Sequence, residues 1–150
     1  MRFTRLTIMV VLLGCFAADI PLHARQAEEK CDGSTVDEQG AQTAKKARAF
    51  LADLQAAMRH DDRKKIADMV SFPVNVIYEG KRVRIRNRQT FLARYDRIFT
   101  AHLRKAILDQ SAHCLFGNAN GEMIGNGEVW FSELGDGSVK IITLNPSVGS

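Results

Sequence analysis

The sequence is poor in the residues that announce chemistry. It has three cysteines, one tryptophan and three prolines among 150 residues. It contains no metal-ligand cluster, no glycine loop of the kind that cradles phosphate and no nucleophile motif, so neither a metal nor a cofactor is expected. Long apolar runs are equally scarce. Only one, near the start, approaches the length of a bilayer, which excludes a protein that crosses a membrane repeatedly. The composition, 45% apolar and 25% charged, excludes a disordered tail protein and suits one globular domain.

The opening 24 residues, MRFTRLTIMVVLLGCFAADIPLHA, carry Arg2 and Arg5, then an uncharged apolar run from Leu6 to Ala18, then small and polar residues. That is the layout of a secretory signal, with cleavage expected after Ala24 and a periplasmic or secreted product. An alternative uses Leu12-Leu13-Gly14-Cys15, which resembles a bacterial lipoprotein box; Cys15 would then anchor the domain to a membrane. Cleavage leaves Cys31 and Cys114. An even number of cysteines in an exported chain favours a disulfide. The competing reading makes Cys114 a buried apolar group and Cys31 a free thiol.

Residues 25–42 are polar, with one bulky aliphatic side chain, and read as a flexible leader before a domain over 43–150. Ala47, Phe50, Leu51, Leu54 and Met58 form one helical stripe between Thr43 and Arg59. A second helix, capped by Asp61 or Asp62, carries Ile66, Met69 and Val70 and ends at Phe72-Pro73. Two short strands, Val74 to Tyr78 and Lys81 to Arg86, meet at a tight Glu79-Gly80 turn. Asn87 caps a third helix with Phe91, Leu92, Tyr95, Ile98 and Phe99 on one stripe, and Thr100 caps a short continuation. From Gln110 onward, three runs rich in Val, Ile, Phe and Trp imply an antiparallel meander. Gly125-Asn126-Gly127 could be a hairpin turn, but it reads better as a bulge bending the middle strand. The expected architecture is α+β: three helices in the N-terminal half packed on a strongly bent antiparallel sheet.

The stretches FLADLQAAMRHDDRKKIADMVSFPVNV, FLARYDRIFT, NANGEMIGNGEVWFSE and VKIITLN resemble the nuclear transport factor 2-like superfamily, and within it the small exported bacterial members. The resemblance covers about Thr43 to Asn145. It implies a cone-shaped α+β fold whose helices and sheet enclose a pocket. The superfamily includes isomerases, dehydratases, carriers and members without activity, so the fold does not choose a function.

Such a pocket would draw its lining from Tyr78, Tyr95, Trp130 and Asn145. A catalytic alternative would use Asp68, His102 or His113 as a base, with Tyr78 or Tyr95 as hydrogen-bond donor. Asp68 also reads as a surface acid pairing with Lys64 or Lys65. Tyr95 also reads as a core residue, and Asp96, on an adjacent helix position, as a solvated or ion-paired one. Trp130 alternates with Val129 and Phe131, so it faces outward if those two face the helices.

Charge is unevenly placed. Nine basic residues and one acid, Asp96, lie between Lys81 and Lys105, whereas Ala106 to Ser150 holds Lys140 against five acids. Arg82, Arg84 and Arg86 share one face of their strand, and three guanidinium forks in a row suit carboxylates or phosphates. The competing reading pairs them with acids on a neighbouring strand or has them guard an exposed edge. Nucleic acid fits poorly, because no surface aromatics interleave with the cations. The sequence therefore points to a non-catalytic binding or accessory module for a small apolar ligand, an acidic protein or an anionic envelope component, a class that includes inhibitors and immunity factors. A homodimer is compatible with this pattern. The alternative is a small pocket enzyme of isomerase, dehydratase or hydrolase type.

Overall fold

The computed structural model describes Cys31 and residues 33–148. The expectations for cleavage after Ala24 and for lipidation of Cys15 lie outside the described residues. A 3₁₀ turn, Val36–Gln39, leads into α1 (Ala41–Arg59) and α2 (Arg63–Asp68). A hairpin of β1 (Val70–Tyr78) and β2 (Lys81–Ile85) follows. Next come α3 (Arg88–Ala93), α4 (Tyr95–Ile98) and α5 (Ala101–Asp109), and finally β3 (Phe116–Asn118), β4 (Gly121–Ile124), β5 (Val129–Glu133) and β6 (Val139–Leu144). No helix among the described residues is long and apolar enough to cross a membrane.

The class is α+β, but the sheet is mixed rather than antiparallel. Its six strands lie in the order β2-β1-β6-β5-β4-β3, and β1 runs parallel to β6. The sheet is open, with β2 and β3 at its two edges. At the β3 edge, Thr35 bridges Phe116 and the Val36 amide donates to the Leu115 carbonyl at 2.9 Å. Val36 is fully buried. Residues 35–42, placed by their composition in a flexible leader, thus belong to the folded unit, held by the buried Val36, the backbone pairing with Leu115 and Phe116 and the Arg48–Asp37 ion pair.

Helix starts follow local chemistry. Asp62, Asn87 and Thr100 each accept from the amide three residues on, at 3.0, 2.9 and 3.2 Å. Such contacts satisfy amides that a helix leaves without internal partners. Helix α2 stops at Asp68, not at Phe72-Pro73, and β1 passes through Pro73. The β1–β6 register shifts between Val70 and Asn75, and a residue without an N–H is tolerated at such an irregularity.

Gly125-Asn126-Gly127 is a hairpin turn, with Ile124 opposite Val129, and not a bulge inside one strand. The sheet irregularities lie instead between β1 and β6 and between Trp130 and Phe131 on β5. The helix-side face of the sheet is apolar: Val74, Val76, Val129, Phe131, Ile141 and Leu144 are buried. Phe131 stacks on Phe50 of α1, ring centroids 4.6 Å apart, and Phe91, Tyr95 and Phe99 close the core beneath the later helices.

Candidate functional site

Two adjoining positive-φ residues, Glu79 (48°) and Gly80 (77°), close the β1–β2 hairpin, a conformation that suits a two-residue turn. The closure fixes the register: Val76 faces Val83 and Val74 faces Ile85 toward the core, while Ile77 faces Arg82 and Asn75 faces Arg84 on the opposite side. Antiparallel pairs alternate between exchanging both backbone bonds and exchanging none. Counting from the closing Tyr78–Lys81 pair, Arg82 and Arg84 occupy the non-exchanging positions, so their backbone groups point away from β1. Since β2 is an edge strand, those groups face no other strand among the described residues.

No carboxylate partner reaches Lys81, Arg82, Arg84, Arg86, Arg94 or Arg97 among the described residues. Other cations are paired: Arg63 with Asp61 and Asp96, Arg88 with Asp68, Arg104 with Asp61, Lys46 with Glu133, and Arg48 with Asp37. The neighbouring strand offers Asn75 and Ile77, which are neutral, so internal neutralisation of the arginine row is ruled out within the described fold. Arg84 and Arg86 line, with Pro73, an open hollow of about 360 Å³. On the other side of the hairpin Arg97 lies over the Tyr78 ring, 4.7 Å from its centroid. Burial pushes the Tyr78 phenol up, with Arg97 and Arg94 opposing. Cations therefore flank the hairpin on both faces.

A second concave feature lies elsewhere. A cleft of about 410 Å³ between α5 and the β4–β5 turn is lined by His102, Lys105, Gln110, Ser111 and Glu128, among others. His102 Nε2 is 2.9 Å from Glu128 Oε1, and the Glu128 side chain is only 2% exposed. The other Glu128 oxygen accepts from the Asn126 amide. Gln110 Oε1 accepts from the Gly125 amide at 2.8 Å. Glu128 and Gln110 thus knit the turn to α5.

The residues expected to line one pocket are dispersed. Tyr95 is buried in the helix-side core, where Arg63 and Arg104 lie over its ring and burial pushes its phenol to about 12. Its neighbour Asp96 pairs with Arg63 at the surface. Trp130 lies on the opposite face of the sheet, edge-on to Phe116 at 6.2 Å, beside a shallow hollow shared with Asn120, Ile142 and Thr143. Tyr78 ends β1, and Asn145 follows β6 with its amide donating to the Glu128 carbonyl at 2.7 Å. Between helices and sheet, the side chains of Phe50, Leu54, Tyr95 and Phe131 form one buried apolar cluster.

The three candidate bases do not converge either. Asp68 is solvent-exposed and held by Arg88 Nε at 2.8 Å, rather than by Lys64 or Lys65. His113 is exposed beside the Cys31–Cys114 disulfide, which the structure contains. His102 alone of the three lines the cleft. Sequence reasoning passed over Glu128, Arg94 and Arg97. An acid directly after a Gly-Asn-Gly turn was the available signal for Glu128; the two arginines carried none beyond local charge density.

Fold and site together define an α+β protein whose mixed six-stranded sheet ends in one open, cationic edge. The chain matches no family model, no curated protein and no solved structure.

Proposed function

We propose that the protein is a binding module, without a reaction of its own, that holds an acidic protein partner along the cationic edge strand β2. One observation carries the reading: among the described residues Arg82, Arg84 and Arg86 lack a carboxylate partner, whereas Arg48, Arg63, Arg88 and Arg104 each have one. Guanidinium groups left in open water offer forks to an incoming carboxylate and steer its approach. The helix pair, hairpin, helices and four-strand meander support kinship with the nuclear transport factor 2-like group. The disulfide supports an exported protein, since such bridges persist in oxidising compartments.

The test uses poly-L-glutamate as a stand-in for an acidic surface. The chain should bind it with an affinity that falls steeply as salt rises, and Arg82→Glu/Arg84→Glu/Arg86→Glu should weaken binding at least about tenfold, a cost of about 1.4 kcal/mol. Circular dichroism should match the parent. Unchanged binding by a folded triple variant would defeat the proposal.

A second reading rests on the buried Glu128 holding His102 at the cleft edge, the geometry of an oriented base. It requires hydrolysis of activated esters that disappears in His102→Ala; equal background rates for both proteins would remove it.

A further inference from the structure

The disulfide has a third donor beside it. His113, adjacent to Cys114 in the turn between α5 and β3, brings a ring nitrogen within 4.8 Å of both sulfurs. His113 is exposed and both cysteines are half-buried, so solvent reaches the group. The segments carrying the cysteines are also held without the covalent bridge. The Val36 amide bonds the Leu115 carbonyl and Thr35 pairs with Phe116, which keeps the neighbourhood of Cys31 against that of Cys114, their Cα atoms 5.1 Å apart. Asp37 is near enough for His113 to help hold its carboxyl down, but its main partner is Arg48.

Two thiolates and an imidazole form a soft donor set suited to Zn²⁺, which accepts three protein ligands with water in the fourth position. We propose that reduction of the Cys31–Cys114 disulfide opens a Zn²⁺ site formed by both sulfurs and the His113 imidazole. In the first step a dithiol reductant gives up two electrons and two protons; the S–S bond breaks, two protein thiols form, and the reductant leaves as its own disulfide. In the second step Zn²⁺ displaces the two thiol protons to solvent as two Zn–S bonds form, and neutral His113 adds one Zn–N bond. The thiolate is the ligand form of cysteine, so bridge and ion exclude each other. Metal occupancy then reports the redox state of the surroundings.

The experiment takes the chain reduced with dithiothreitol, freed of reductant under argon, and titrates it with Zn²⁺ against a chromophoric chelator. The reduced chain should bind one ion and release about two protons, read with a pH indicator. The oxidised chain should bind none at this place. His113→Ala leaves the bridge and the buried core untouched, and it should weaken binding by more than the about tenfold typical of losing an outer partner of a metal site. Cys31→Ser should weaken it further; if that variant misfolds, His113→Ala alone decides. The proposal is overturned by reduced chain that ignores Zn²⁺, by His113→Ala binding as tightly as its parent, or by loss of helical circular dichroism on reduction before any metal is added. None of these outcomes depends on the acidic-partner reading.

Discussion

Two carboxyl groups, Glu122 and Glu128, are buried among the described residues. Glu128 has His102 and a turn amide to answer its charge. Glu122 Oε2 has no hydrogen-bond partner among the described residues, and burial pushes its carboxyl up, with Glu133 adding to the effect. A raised folded value has a definite sign in stability. As pH rises past the ordinary carboxyl range near 4.5, the unfolded chain releases its proton first, so stability falls until the folded value is passed. Glu122→Gln should therefore gain on the parent as pH rises from 4.5 to 7. Urea midpoints at pH 4.5 and pH 7 measure this, and parallel curves for the two proteins would contradict it. Gly125 is the complementary case. It has a φ of +66°, and a Cβ there would run into the Glu128 carboxylate. Gly125→Ala should cost about 1–3 kcal/mol, read as a lower melting midpoint; a neutral result would mean that the turn has room to shift.

Elements whose cause is local were legible in the sequence. Asp62, Asn87 and Thr100 start their helices as their side-chain chemistry requires, and the Glu79-Gly80 turn sits where two alternating runs meet. Asn87→Ala should cost about 1 kcal/mol, seen as a lower urea midpoint, because α3 is short and Phe91 depends on its placement; an unmoved midpoint would assign the start of α3 to packing alone. Elements whose cause lies far along the chain were not legible. The Gly125-Asn126-Gly127 turn is held by Glu128 folding back and by Gln110 of the α5 terminus, and Gln110 lies outside any short window around the turn. The parallel β1–β6 pairing joins residues about seventy positions apart, and Pro73 looked like a terminator because its neighbours in space were unknown. For the interface, alternation revealed that Arg82 and Arg84 share a face, whereas their lack of partners depends on which strand adjoins β2.

At the scale of the molecule, the Cys31–Cys114 bridge ties the 3₁₀ turn and β3 together across 83 positions. Closing so long a loop restricts the unfolded chain. Cys31→Ser/Cys114→Ser should lower stability by about 2–5 kcal/mol, measured by urea denaturation under oxidising conditions. A smaller loss would mean that the Thr35–Phe116 bridge and the Val36–Leu115 hydrogen bond carry the attachment without it.

The two margins of the sheet are unlike among the described residues: β3 is bridged at Phe116 by Thr35, and β2 has no strand on its outer side. Two copies meeting border to border at β2 would bring Arg82 and Arg84 of each against like charges, which disfavours edge-to-edge pairing.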